Sequence, residues 1–156
     1  MTTTPHQQPG RVAGIDFGTV RIGVAISDVG RTLASPLEQH TRSGPEADAH
    51  YFRKLVERES ITHFVVGLPV HLSGHESAKS HEARQFGAWL TETTGVPVDF
   101  CDERLTTVQA EDALLAASLT NKQRKKRRDM LAAQFILAAY LETPQGEVGT
   151  QQPLED

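Results

Sequence analysis

The stretch Arg11-Val12-Ala13-Gly14-Ile15-Asp16-Phe17-Gly18-Thr19-Val20-Arg21-Ile22-Gly23-Val24-Ala25-Ile26 governs how the rest of the chain is read. Apolar residues dominate both halves, and Gly18-Thr19-Val20 between them is short enough for an antiparallel hairpin. One acid, Asp16, stands inside the first half. Aspartate is depleted in strands, because its short side chain competes for backbone hydrogen bonds and fits a pleated surface poorly. A buried carboxylate persists where a positive charge compensates it. From this stretch alone two readings stand open: an acid that holds a metal ion or a phosphate-bearing ligand on a metal, and a turn-capping acid at a strand end.

The chain has 156 residues, enough for one domain with a core that needs no staples. Hydrophobic (38%) and charged (23%) shares are those of an ordinary globular protein. A net charge of −4 argues against indiscriminate coating of nucleic acid and leaves room for a local basic patch. The single cysteine, Cys101, permits no internal disulfide, which points to the cytoplasm. The polar opening Met1–Pro9 has no apolar core of a signal peptide, and no apolar run approaches the ~20 residues of a membrane span. No membrane association is therefore expected.

Outward from the opening hairpin, residues 1–9 read as a disordered tail, residues 10–142 as the folded domain and residues 143–156 as a flexible tail. A third strand over about Thr32–Thr41 contains Pro36 and is expected at a sheet edge. Ser43-Gly44-Pro45 opens a helix to about Glu59, with Tyr51, Phe52, Leu55 and Val56 at helical spacing. Ile61–Leu68 reads as a strand buried on both faces, and a loop over Val70–Gly74 leads into a helix over about Glu76–Thr94. Val96–Cys101 is a fifth strand running into Asp102-Glu103-Arg104. Thr106 and Gln109 have capping-box spacing for another helix, Thr120–Arg128 reads as a basic loop, and Asp129–Leu141 as a final apolar helix. A three-strand meander followed by two strands reached through helices makes a five-stranded mixed sheet flanked by helices, the ribonuclease H-like architecture of the α/β class.

Ligands gather outside the carboxyl ends of the strands in such sheets, which brings Asp16 and Glu103 toward one place. Glu103 precedes a helix start, where the helix dipole alone would favour an acid. Asp129 shares a helical face with Ala132, Ala133, Ile136 and Tyr140, and an inward acid there needs positive compensation. Three such carboxylates suit hard divalent cations, Mg²⁺ or Mn²⁺, which can drive an in-line displacement at phosphorus. Six cations fall within Lys122-Gln123-Arg124-Lys125-Lys126-Arg127-Arg128, beside Asp129. A solvated charge run is the ordinary reading of that stretch, and its position favours contact with nucleic acid. Arg21 and Arg104, each near one of the acids, are further candidates for phosphate contact. His71, His75 and His81 match no zinc template, and Cys101 reads as a small core residue.

Asp16-Phe17-Gly18-Thr19 with Arg21-Ile22-Gly23-Val24-Ala25, Val66-Gly67-Leu68-Pro69, Asp102-Glu103-Arg104-Leu105-Thr106-Thr107, and Lys125-Lys126 with Asp129 and Ala132-Ala133 resemble the successive motifs of the YqgF family. Members of that family are Holliday junction resolvase-like proteins, also described as pre-16S rRNA nucleases. The resemblance implies a ribonuclease H-like nuclease that trims the 5′ end of the small-subunit rRNA precursor with Mg²⁺ or Mn²⁺. It also implies that Asp16, Glu103 and Asp129 are the acidic triad, and that pre-ribosomal particles are partners. Val70-His71-Leu72-Ser73 departs from the family's usual asparagine-bearing loop. Resolution of branched DNA, a non-catalytic RNA or ribosome-binding module, and phosphotransfer of the sugar-kinase kind are the competing expectations. Monomer and homodimer are both open, and symmetric cutting of a junction would call for a two-fold dimer.

Overall fold

Two strongly apolar runs joined by Phe17-Gly18-Thr19-Val20 fold back on each other, and the remainder of the sheet grows from that hairpin. The computed structural model describes residues 10–69, 77–103 and 121–142, with side chains from Met130 onward in the last segment. The described elements run β1 (Arg11–Asp16), β2 (Arg21–Ser27), β3 (Ala34–Thr41), α1 (Pro45–Glu59), β4 (Ile61–Leu68), α2 (Ala78–Thr94), β5 (Val98–Asp102) and α3 (Asn121–Glu142). The sheet order is β3-β2-β1-β4-β5. β2 lies antiparallel to both β1 and β3, while β1, β4 and β5 run parallel. The mixed sheet expected of a ribonuclease H-like protein is therefore present, with β1 at its centre. Pro36 does lie on an edge strand, at the point where the β2–β3 register shifts, so its missing N–H interrupts no interior ladder.

Period-two alternation divides β1 between two cores. Ala13 and Ile15 face Phe52 and Leu55 of α1 and Phe86 and Leu90 of α2. Val12 faces the other way, with Ala25, Val65 and Cys101, against Ala133, Ile136, Leu137 and Tyr140 of α3. Cys101 is a core residue as its setting in β5 suggested; burial pushes its thiol up to about 11, which disfavours the thiolate. Gly14 lets α3 come down onto the sheet, since a Cβ there would lie 2.7 Å from Leu137 Cβ and 2.8 Å from the Ala133 carbonyl oxygen. At the other end of the same helix, the Tyr140 hydroxyl donates to Asp99 Oδ2 at 2.6 Å.

The basic run expected as a loop is helical from Asn121 and continuous with the apolar helix behind it. No Gly or Pro interrupts Asn121–Glu142, and Lys, Arg and Gln are good helix formers. Repulsion between like charges one turn apart costs only about 0.2–0.5 kcal/mol per pair, too little to break the helix. Strand β5 begins two residues later than expected, at Val98. Gly95 first closes α2 in a left-handed conformation (φ 76), and Pro97 follows with no N–H for the ladder. The capping-box helix around Thr106, the loop over Val70–Gly74 with His71 and His75, and both expected tails lie outside the described residues. No helix among the described residues is long and apolar enough to cross a membrane.

The β2–β3 turn is held by one carboxylate. Asp28 Oδ1 accepts from the backbone N–H groups of Thr32 and Leu33, both at 2.8 Å, and Oδ2 accepts from the Thr32 hydroxyl at 2.9 Å. Donation from the Leu33 and then the Thr32 N–H lowers its pKa from 3.8 to about 2. A depressed carboxylate stabilises the fold above its unfolded value and loses that contribution as pH falls through its folded value. Asp28→Ala should therefore melt at a lower temperature than the parent at neutral pH. The difference should shrink between pH 4 and 2, which parallel thermal melts will read.

Candidate active site

Strands β1, β4 and β5 are parallel, so all three end at one edge of the sheet. Asp16 is the last residue of β1, and Asp102, followed by Glu103, is the last of β5. Between them β4 reaches the same level, with Ile15 beside Val66, Gly67 beside Cys101 and Leu68 beside Asp102. At this edge opens a cavity of about 350 Å³, and both Asp16 and Glu103 line it. The sheet order reverses at β1, which makes this the location that open α/β sheets reserve for ligands.

Gly67 keeps the two acids from being separated by a side chain. A Cβ there would lie 2.9 Å from both Cγ and Oε2 of Glu103 and 2.5 Å from Ile136 Cδ1. Glu103 therefore folds across β4 in space that any larger residue would occupy. Burial raises the pKa of its carboxyl above the ordinary value, and the neighbouring Asp102 charge raises it further. Both causes have the same remedy: a cation in the cavity would favour the ionised form.

The first turn of α2 closes one side. Ser77 caps it, accepting from the Ser80 N–H at 3.2 Å and donating its hydroxyl to the Pro69 carbonyl at 3.1 Å. That pair of bonds holds the helix start against the carboxyl end of β4, and Lys79, Glu82 and Ala83 line the cavity. Sequence reasoning misses Lys79 and Glu82, because the apolar residues of this helix dominate its pattern. Their i, i+3 spacing puts them on one face and is the available signal.

Asp129 lies in the N-terminal half of α3 and its side chain is outside the described residues. Backbone geometry sets its level. Ala133 sits over Gly14, and four helical residues earlier means ~6 Å of rise toward the helix start. Asp16 lies two strand residues beyond Gly14, ~6.6 Å toward the same edge, because α3 runs antiparallel to β1. That antiparallel course follows from its neighbours: Ile136 abuts Gly67 near the end of β4, while Tyr140 reaches back to Asp99 near the start of β5. From Ala133, the Asp129 backbone thus lies toward the same edge as Asp16.

Arg21 begins β2 and is exposed, and it is not among the residues lining the cavity. Arg104 lies outside the described residues, as do the side chains of Lys122, Arg124, Lys125, Lys126, Arg127 and Arg128. His81 is exposed on α2. Among the described residues, no three His, Cys, Asp or Glu side chains gather to hold a metal ion. Asp16 and Glu103 nevertheless fit a hard cation, because Mg²⁺ is held through one or two carboxylates when substrate phosphate and waters complete its shell.

The family model described as RuvX, Holliday junction resolvase, matches residues 10–143. A Rhodopirellula baltica protein named "Putative pre-16S rRNA nuclease" is 53% identical over 133 residues, covering 85% of this chain and 77% of the relative. A relative of the same name from Koribacter versatilis is 39% identical over 138 residues, covering 88% and 90%. Among solved structures, Thermus thermophilus RuvC in complex with a Holliday junction substrate superposes with a TM-score of 0.52 at 17% identity, covering 88% of this chain and 98% of that one. The fowlpox virus resolvase bound to Holliday junction DNA gives 0.54 at 12% identity, covering 85% and 97%. At those identities the two structures speak for the fold, which is the ribonuclease H-like one.

Proposed function

The chain belongs to the RuvX family, and from that premise we propose that it is a divalent-metal-dependent endonuclease whose substrate is the 5′ region of the 16S rRNA precursor. The observation that carries the reading is the convergence of Asp16 and Glu103 on one cavity at the carboxyl edge of the sheet. Asp16 and Glu103, with Asp129 as third ligand, would hold Mg²⁺ or Mn²⁺. Such an ion supplies Lewis acidity at phosphorus, lowers the pKa of water and stabilises the departing oxygen. The protein's own part is positioning. Asp16 and Glu103 fix the negative side of the site, and Gly67, having no side chain, leaves Glu103 room to fold across β4. Lys79 brings a positive charge toward the non-bridging oxygens. As the water oxygen bonds to phosphorus and gives up a proton to solvent, the bond to the leaving ribose oxygen breaks in line, that oxygen takes up a proton from solvent, and the strand is cut. The basic first turns of α3 and Arg104 hold the backbone on either side, and Arg21 extends that grip.

The test is the purified protein with Mg²⁺ or Mn²⁺ against an rRNA precursor, an unstructured single strand and a four-way DNA junction. Metal-dependent cutting of the precursor at its 5′ side is expected, and chelation should abolish it. Preferential symmetric cutting of the junction would transfer the assignment to branched DNA. Binding of the precursor with neither cutting nor coupling to the metal would make the chain a binding module.

Gly67→Ala tests the positioning of Glu103. The added methyl meets Ile136 Cδ1 as well as Cγ and Oε2 of Glu103, and both side chains must shift, so overpacking should cost about 1–3 kcal/mol. Cleavage should fall by up to about a hundredfold, since displacement of a reacting group by an ångström has that effect. Cleavage rates beside thermal melts will separate the two, and a parent-like rate would detach Gly67 from the site.

A further inference from the structure

Beside the acid cavity lies a second one, of about 370 Å³, between the start of α1 and the middle of α2. Phe17, Thr19 and Glu82 line both, so the two are neighbours. Its apolar wall is a row of three aromatic rings. Phe17 and Phe86 have centroids 4.7 Å apart, Phe86 and Trp89 5.5 Å apart, and each pair is tilted by only 31°. Phe86 in the middle is buried, whereas Phe17 and Trp89 are each half-buried and keep ring surface at the cavity. The row starts at the residue next to Asp16 and leads away from the acids.

Opposite this wall the Arg42 guanidinium stands over the Phe17 ring, 5.2 Å from its centroid. It is held there. Arg42 Nε donates to Oδ2 of the buried Asp48 at 3.0 Å, and His40 Nε2 lies 2.8 Å from Oδ1. Both oxygens of Asp48 are thus engaged, and the hydrogen bonds from His40 and Arg42 outweigh the effect of burial and keep it ionised. His40 is fixed in turn by stacking on Tyr51 at 4.0 Å. Arg42 retains 29% exposure and turns a fixed positive charge to the cavity lip, while Gln85 supplies both donors and acceptors.

We propose that this cavity is a nucleobase subsite, in which an unpaired base next to the scissile phosphate enters beside Arg42 and stacks on the ring surface that Trp89 keeps at the cavity. The proposal rests on the endonuclease reading and narrows its substrate to single-stranded or splayed-out nucleic acid at the cut. Such bases are recognised by stacking on aromatic rings and guanidinium planes, with hydrogen bonds to their edges. The base plane lies on Trp89, Arg42 faces the adjoining phosphate, and Gln85 and Thr19 meet the base edge. Adjacency to the acid cavity, through Phe17, Thr19 and Glu82, carries the choice of occupant, because a strand with its phosphate at Asp16 and Glu103 must place a neighbouring residue here or turn away.

Trp89 is the sole tryptophan, so its fluorescence reports on this cavity alone. The full chain is titrated, with Ca²⁺ as the divalent ion, with a single-stranded RNA, a duplex of the same sequence and an abasic phosphodiester strand of equal charge. The single strand should quench Trp89 saturably. The abasic strand should bind about five- to a hundredfold more weakly, the worth of one stacked base, and leave the fluorescence unchanged. The duplex should not quench. Trp89→Leu should weaken single-strand binding and bring it level with that of the abasic strand, and Gln85→Ala, on the cavity rim, should alter the preference among bases. Equal affinity for the abasic strand would overturn the subsite. So would cutting of the same RNA with Mg²⁺ by a protein whose Trp89 ignores it, which leaves the nuclease reading standing. A chain that neither binds nor cuts any of them overturns both.

Discussion

Asp16→Asn should reduce metal-dependent cleavage to background, a fall of at least about a hundredfold on the scale of losing one transition-state electrostatic partner. The substitution keeps the side-chain shape at the end of β1 and alters only the charge and one acceptor. The β1 ladder pairs through backbone groups, and the core residues of β1 are Val12, Ala13 and Ile15, none of which the substitution alters. The folded state should therefore survive. Without metal both proteins should melt cooperatively, which sets the baseline for each. The difference should emerge on adding Mn²⁺. A ligand that binds the native state raises stability with its free concentration relative to Kd, so the parent should gain melting temperature and the variant should not. Cleavage by a well-folded Asp16→Asn protein at the parent rate would refute the role given to the acid, and equal stabilisation by Mn²⁺ would remove it from the metal site.

The central sheet was legible because its signals are local. Ile61–Leu68 is a continuous apolar run between a helix and Pro69, and Pro36 marks its strand as an edge; both stand where they were expected. The convergence of Asp16 and Glu103 was legible through topology alone, since two parallel strands must end at the same side. Lys79 and Glu82 were not. Their role at the cavity depends on where α2 is docked, and that is set by a hydrogen bond from the Ser77 hydroxyl to the Pro69 carbonyl that no sequence period encodes. The aromatic row hides for a related reason. Phe86 and Trp89 do have the spacing of core residues, and only the position of Arg42 just beyond β3 shows that the cavity beside them is lined for a flat ligand. The basic run suggests a loop only when repulsion is weighed above helix propensity, and each repelling pair is worth only tenths of a kcal/mol.

That run supplies the second large effect. Replacing Lys125, Lys126, Arg127 and Arg128 together with alanine should weaken binding of a single-stranded substrate and flatten its dependence on salt. Every phosphate that no longer meets a cation reduces the slope of log K against log salt by ~0.7, so four of them would reduce it by up to about 3. Alanine is the best helix former, so α3 should persist and the melting temperature should hold. The helical backbone adds a distinction that a loop would not have. Lys122 and Lys126 are one turn apart, and Lys126 is three residues before Asp129, so these two share the Asp129 stripe, while Arg124 and Arg128 lie on another face. Lys126→Ala alone should then lower the cleavage rate of bound substrate as well as affinity, because position 126 comes three residues before the proposed third ligand on one helix. Arg124→Ala should change affinity and salt slope with the single-turnover rate intact. Equal effects of the two on that rate would mean that the strand does not follow the Asp129 face, and an unchanged slope in the fourfold variant would move the binding groove off α3 altogether.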